Sequence, residues 1–328
     1  MQGATKIDWI GRNFEILESL CHPLDIIYAV VDKSTQSHHL YSLSHTLFDG
    51  PGGVLYLHDQ LLGRDAAQSF KKSNKIFKRN AERQFTILEK ITLLRQMFIK
   101  IFLERNKKIV WKIYNADLKN IQDEPSNMVW HIFTKQETDV LLTKLKQNPT
   151  SAAFLSLHKI IKKYLLSNDD NETWRMTVDM RRYSSDKTST ANCLSGFYVD
   201  LSNSASYASL NQQILKLLNK NMHWVTWFLV HAIKYLGAYI QKILIKIHLS
   251  HFNSIGTFSS YGTHFITDES KLFVGTPPPA PFNPVAAGCG ICNEQFYLAL
   301  RLHPTLMKNR DELQQYCNEW AEELRSNI

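Results

Sequence analysis

The sequence predicts an α+β fold, a mixed α/β sandwich in two subdomains. Three observations point there. Short runs of β character and longer runs with apolar residues at three- and four-residue steps are mixed along the chain, without strict βαβ repetition. A polar stretch containing Pro125, Lys119 to Asn127, separates an N-terminal part (1–124) from a C-terminal part (125–328). Of the 328 residues, 44% are hydrophobic and 11% aromatic, enough for a substantial core.

In chain order, Asp25 to Asp32 (DIIYAVVD) reads as a strand, Ser34 to Ser37 as a polar turn and His38 to Ser44 as a second strand, so the two predict a hairpin. Val54 to Gly63 has helical spacing after the glycine-rich turn Gly50-Pro51-Gly52-Gly53. Lys71 to Tyr114 is mostly helical, with an apolar stripe at Ile91, Leu94, Phe98 and Ile101. Val129 to Phe133 opens a new strand. Thr134 with Glu137 three residues on is a capping-box signature, which starts a helix to Leu145. Ala152 to Leu166 is a further helix. Glu172 to Met180 is a strand ending at Arg181-Arg182, and Gly196 to Leu201 another. Leu210 to Leu249 reads as one long apolar helix, Ser254 to Ser260 as a strand ending at Tyr261-Gly262, Glu294 to Leu302 as a strand and Leu306 to Arg325 as a terminal helix.

The net charge of +8 is uneven. Lys71 to Ile113 holds 13 Lys and Arg against 3 acids, so that segment carries +10 and the remainder about −2. A basic helix with an apolar stripe suits an anionic membrane surface, and its bland reading is a solvated face; no nucleic-acid motif accompanies it. Trp224 to Gln241 carries a single charge, Lys234, and the apolar run continues to Leu249. Three readings stay open for it: a buried core or interface helix, a helix lying in the membrane interface, and a span, which Lys234 in mid-run argues against. Five cysteines and no apolar N-terminal leader suggest a reduced, cytoplasmic setting, with peripheral membrane association through 71–113 and 224–249 as a further expectation. Cys289-Gly290-Ile291-Cys292 is a lone CxxC and reads as buried thiols rather than a metal site. His38 and His39 are strand neighbours pointing to opposite faces, so they do not converge with His45 on an ion, and no metal is expected.

The chemistry-bearing segment is Ser44-His45-Thr46-Leu47-Phe48-Asp49-Gly50, which reads S-H-x-x-x-D-G where a strand ends and a glycine-rich turn begins. An imidazole there suits a general base, since its ordinary pKa lies near 7. The segment resembles the H-H-x-x-x-D-G signature of the CoA-dependent acyltransferase superfamily. That group includes chloramphenicol acetyltransferase, nonribosomal-peptide condensation domains, wax ester and diacylglycerol synthases, and plant and fungal alcohol acyltransferases. Ser44 stands where relatives have the first histidine. Further elements follow in the same order: Val178-Asp179-Met180-Arg181, then Asn192 to Phe197, then Gly256-Thr257-Phe258-Ser259-Ser260-Tyr261-Gly262, with Ser260 in place of an asparagine, and then a proline-rich loop from Pro277 to Pro284. No G-x-S-x-G elbow, P-loop or helix-opening G-x-G-x-x-G competes.

The resemblance implies a chloramphenicol acetyltransferase-like, two-subdomain architecture with the N-terminal half truncated, because only 44 residues precede His45. The strand presenting His45 is then expected at an exposed edge, with another subunit, in a homo-oligomer or from a partner, as one way to complete it. The resemblance further implies that His45 takes the proton of an alcohol or amine acceptor, which attacks an acyl thioester on CoA or phosphopantetheine. No cofactor would be permanently bound. Asp49 would pair with Arg181 and fix the loop. Their bland readings are a helix N-cap for Asp49 and a solvated strand end for Arg181. Backbone at Gly50, amides of the following helix, and Ser260 or Ser259 are the candidates for stabilising an oxyanion. The alternative is a non-catalytic or subunit-dependent relative that binds an acyl ligand, a carrier protein or a membrane.

Overall fold

The computed structural model describes residues 4–9, 26–35, 38–43, 45, 48–61, 85–89, 91–93, 95, 109–113, 128–145, 149–167, 172–183, 192–201, 206–233, 254–265, 268–306 and 309–326. The first sheet holds β1 (Ala4–Trp9), β2 (Ile26–Asp32), β3 (His38–Leu43) and β8 (Lys271–Thr276), in the order β1-β3-β2-β8, every pair antiparallel. The expected hairpin of β2 and β3 is present. Asp32 shapes its turn, its Oδ1 accepting from the amides of Ser34 and Thr35 at 2.9 and 3.2 Å. The expected exposed edge is corrected: β3 is an interior strand. Ala4 to Trp9 pair with Leu43 to His38 on one side and β2 covers the other. The added neighbour, β1, comes from the first residues of the chain, which the sequence pattern did not mark as a strand.

The second sheet has six strands in the order β4-β10-β9-β7-β5-β6. They are β4 (Met128–Ile132), β5 (Thr173–Asp179), β6 (Leu194–Asp200), β7 (Gly256–His264), β9 (Val285–Cys292) and β10 (Gln295–Leu302). β7 runs parallel to both β5 and β9, and the other pairs are antiparallel. β10 is buried on both faces. Phe296, Leu298 and Leu300 enter a large core under the C-terminal helices, while Tyr297 and Ala299 enter a second core shared with the first sheet. That accounts for its nearly unbroken apolar run. β8 lies between β7 and β9 in sequence but hydrogen-bonds to β2, so the chain crosses to the first sheet and back. The expected divide at 124/125 lies outside the described residues, and β8 joins the N-terminal strands from beyond it.

Most helices sit where the spacing put them. α1 (Gly50–Leu61) begins earlier than the expected Val54, because Asp49 caps it and the glycine-rich turn is its first turn. α2 (Lys135–Lys144) has the full capping box of Thr134 and Glu137. α3 (Pro149–Tyr164) and α6 (Arg310–Ser326) pack beneath the six-stranded sheet.

The single long helix from Leu210 is corrected. It is two, α4 (Tyr207–Asn219) and α5 (Met222–Ile233), broken where Asn221 turns to φ 59°, a left-handed conformation that asparagine tolerates better than most residues. Residues 234–249 lie outside the described residues. The basic segment is corrected as well. Residues 87–89, 91–93 and 95 are helical, but Trp111 forms a β-bridge with Leu166, so the helix does not run to Tyr114. Ile91, on the expected apolar stripe, is 55% exposed, and Phe85 and Leu93 pack into the core. Leu94, Phe98 and Ile101 lie outside the described residues. Among the described residues no helix is long and apolar enough to cross a membrane.

Candidate active site

His45 follows the end of β3 and precedes α1, half-buried at the seam between the two sheets. Its Nδ1 lies 3.0 Å from the carbonyl oxygen of Phe48. A carbonyl only accepts, so in the neutral ring the proton sits on Nδ1 and the lone pair on Nε2. From across the seam, the Asn192 side-chain amide donates to the carbonyl of His45 at 2.6 Å. Both backbone and ring of the histidine are therefore held.

Asp49 is fully buried and points away from the histidine's cavity side, toward the second sheet. Arg181 grips it in a two-bond fork, Nη2 to Oδ1 at 2.8 Å and Nη1 to Oδ2 at 3.0 Å. The Gly52 amide donates to Oδ1 at 2.7 Å and the Cys193 amide to Oδ2 at 2.6 Å. The carboxylate is thus saturated, and its two sequence readings hold together in one residue: it caps α1 and it pairs with Arg181. Arg181 also meets Asp179 at 2.8 Å. Burial alone would lower the Arg181 pKa, but the charges of Asp49 and Asp179 outweigh it and hold the guanidinium above its ordinary value.

Tyr28 of β2 braces the same turn. Its hydroxyl donates to the carbonyls of Gly50 at 2.5 Å and Asp49 at 3.2 Å, and burial raises its pKa well above the ordinary value. The glycines of the turn make room for aromatic rings. A Cβ on Gly50 would sit 2.6 Å from the Tyr261 ring, and one on Gly53 would strike the Tyr28 hydroxyl. The space a Gly50 side chain would take is thus filled by Tyr261. The helix-amide expectation narrows. Pro51 has no N–H, and the amides of Gly52 and Gly53 are taken by the Oδ1 and carbonyl of Asp49. Among the described residues, no acceptor takes the Gly50 N–H.

Two adjoining spaces lie beside these groups. A small one, about 10 Å³, is lined by His45, Gly50, Pro51, Thr177, Ser260 and Tyr261 among others. It shares Pro51, Thr177, Asp179, Ser260 and Tyr261 with a cleft of about 220 Å³, whose apolar wall is Met176, Val178, Phe197, Ile214 and Leu218 and whose cation is Arg182. Ser260 lies on both, 3.3 Å from the Thr150 hydroxyl, whereas Ser259 accepts from Thr177 at 2.9 Å in a buried pair. Ser260 lies within β7, as expected of the strand from Ser254, but β7 runs on past Tyr261 to His264, and its register shifts between Ser260 and Thr263.

The structure therefore gathers His45, Asp49, Gly50, Arg181 and Ser260 at one seam. Sequence reasoning missed Asn192 and Tyr28 as parts of it. Asn192 stood inside a quoted motif with no role attached, and the only signal for Tyr28 was a polar group in an otherwise apolar strand. The CxxC forms no site. Cys289 faces the large core and Cys292 the second one, and burial pushes their thiols up to about 12 and about 11. No group of potential metal ligands exists among the described residues.

No protein-family model and no curated protein matches the sequence. Solved structures do match in shape. Trichothecene 15-O-acetyltransferase from Fusarium sporotrichioides is similar at 13% identity and a TM-score of 0.61, over 92% of this chain and 70% of that one. The epimerization domain from the third module of tyrocidine synthetase B is similar at 11% identity and a TM-score of 0.53, over 89% and 69%. The EpoB cyclization-docking bidomain from Sorangium cellulosum is similar at 10% identity and a TM-score of 0.55, over 89% and 60%. The fold is thus the condensation-domain and acetyltransferase fold that the sequence resembles, and the chain spans 60% to 70% of the length of these structures.

Proposed function

We propose that the chain transfers an acyl group from a thioester, on CoA or on a phosphopantetheine arm, to an alcohol or amine. The observation that carries this reading is the Nδ1 contact of His45 with the Phe48 carbonyl at 3.0 Å, which puts the ring proton on Nδ1 and the basic lone pair on Nε2. The acceptor loses its proton to Nε2 as its oxygen or nitrogen attacks the thioester carbonyl. The tetrahedral oxyanion takes a hydrogen bond from the Gly50 N–H or the Ser260 hydroxyl, and collapse expels the thiolate, which the imidazolium reprotonates. Asp49 and Arg181 do no chemistry: they fix the turn that aims the histidine. The 15-O-acetyltransferase among the similar structures favours an oxygen acceptor.

One observation favours the second reading, a non-catalytic acyl binder. The space directly at His45 is about 10 Å³, room for one water at most, although it shares lining residues with the larger cleft. A thiol-release assay over a panel of acyl-CoAs with alcohol and amine acceptors separates the two. Turnover that falls by roughly 10²- to 10⁴-fold in His45→Ala supports transfer. Turnover equal in that variant sinks the histidine's role, and saturable acyl-CoA binding without any thiol release supports the binder.

A further inference from the structure

We propose that the face bearing Ile87, Leu88, Ile91 and Arg95 docks on an anionic lipid bilayer. Thr86 starts this helix with a capping box: its hydroxyl accepts from the Glu89 amide at 3.3 Å while the Glu89 carboxylate accepts from the Thr86 amide at 2.8 Å. At about 100° per residue, Ile87, Ile91, Arg95 and Leu88 fall within one quarter or so of the helix surface. Leu93 lies on the opposite side, buried in the large core. The outward face is open: Ile87 is 79%, Leu88 74% and Ile91 55% exposed, three of the eight large hydrophobic side chains exposed among the described residues. Clustered exposed aliphatic residues mark a contact surface rather than ordinary surface scatter.

Charge selects the partner. The helix sits within the 71–113 segment of the sequence, which carries 13 basic and 3 acidic residues while the rest of the chain is slightly acidic. Aliphatic side chains that enter the acyl boundary, with arginine and lysine reaching the headgroups, are how an interfacial helix holds an anionic bilayer. The surroundings of the helix fit. Phe85, one residue before the cap, packs edge-on against Trp224 and Phe228 of α5 at 5.3 and 5.2 Å. The helix is thereby fastened to the most apolar stretch of the sequence. Two segments more than a hundred residues apart, each with membrane-like composition, thus meet at one corner of the molecule. A bilayer there would present lipid-soluble acyl donors or acceptors, but the inference rests on the surface alone and stands whether or not His45 catalyses transfer.

The test is co-sedimentation of the full chain with vesicles of phosphatidylcholine alone and of phosphatidylcholine with phosphatidylserine, at low and high salt. Binding to the anionic vesicles is expected to exceed that to the zwitterionic ones at least tenfold, to weaken with salt, and to fall at least tenfold in Ile87→Asp/Ile91→Asp. Leu215→Asp, which alters an exposed leucine on α4, should bind like the parent chain. Arg95→Glu provides a second reading that keeps the aliphatic residues, with a several-fold loss expected. No binding to anionic vesicles at low salt overturns the proposal, as does undiminished binding by both variants. A concentration-dependent dimer abolished by the double variant, with no vesicle binding, would also overturn it and assign the face to a second copy of the chain.

Discussion

His45 and His158 differ in which ring nitrogen carries the proton, and the difference sets the base proposed at His45 apart from a strut. At His45 a backbone carbonyl accepts from Nδ1, so the lone pair sits on Nε2 in a half-buried ring that borders open space. At His158 the Trp174 indole donates to Nδ1 at 3.1 Å, which forces the proton onto Nε2, 2.6 Å from the Glu172 carboxylate. Lys162 completes that chain at 2.7 Å from the other carboxylate oxygen. Burial outweighs Glu172 and lowers the His158 pKa, so the ring stays neutral and both nitrogens are committed to holding α3 on β5. A histidine beside a carboxylate is thus no evidence of catalysis here.

The comparison predicts that the supports of the two histidines fail in different ways. The largest stability effect belongs to the site. Arg181→Met leaves the Asp49 carboxylate buried without its counter-charge, and urea unfolding should show a loss of about 3–5 kcal/mol. Activity per folded molecule should fall with it, because the turn holding His45 loosens; a loss under about 1 kcal/mol would show that the pair is not what fixes the turn. Next, His158→Leu strands the Trp174 N–H and the Oε2 of Glu172, for a loss of about 1–3 kcal/mol with turnover per folded molecule unchanged. A matching fall in turnover would erase the distinction drawn between the two histidines.

The smallest effect is in pH. Burial holds His223 and His303 at about 4, so in the native chain they stay neutral while the unfolded chain takes up protons below about 6.5. Stability is therefore intact above that value and declines as pH falls from about 6.5 toward 4. By about pH 5.5 each histidine should cost on the order of 1 kcal/mol. Thermal melts at about pH 7.5 and 5.5 measure this, and a melting temperature that does not fall on acidification contradicts it.

Local signals were legible in the sequence and remote ones were not. The Thr134 capping box, the β2–β3 hairpin and the S-H-x-x-x-D-G turn are short-range features, and each appears where it was read. The meeting of Asp49 with Arg181 was also anticipated, through motif order rather than local pattern. The break at Asn221 was hidden because apolar spacing continues across it, and one left-handed residue is enough to end a helix. Ile91 fits a helical stripe, yet it faces outward, since periodicity reveals that a helix has an apolar face and not what covers it. The Thr86 capping box has the same form as the Thr134 one and was overlooked within a long basic run. β8 was missed because its six residues carry little pattern and its partner is remote.

That remoteness bears on how the chain is made. Asp32 pairs with Lys271 and Ile27 with Thr276, so the edge of β2 stays uncovered while the ribosome synthesises nearly everything between. A nascent chain in that interval displays unpaired strand amides beside apolar side chains, the condition that invites intermolecular pairing. Such late, long-range closure gives the protein a high contact order and slow folding. Its dependence on chaperones during synthesis should accordingly be set by one six-residue strand near the end of the chain.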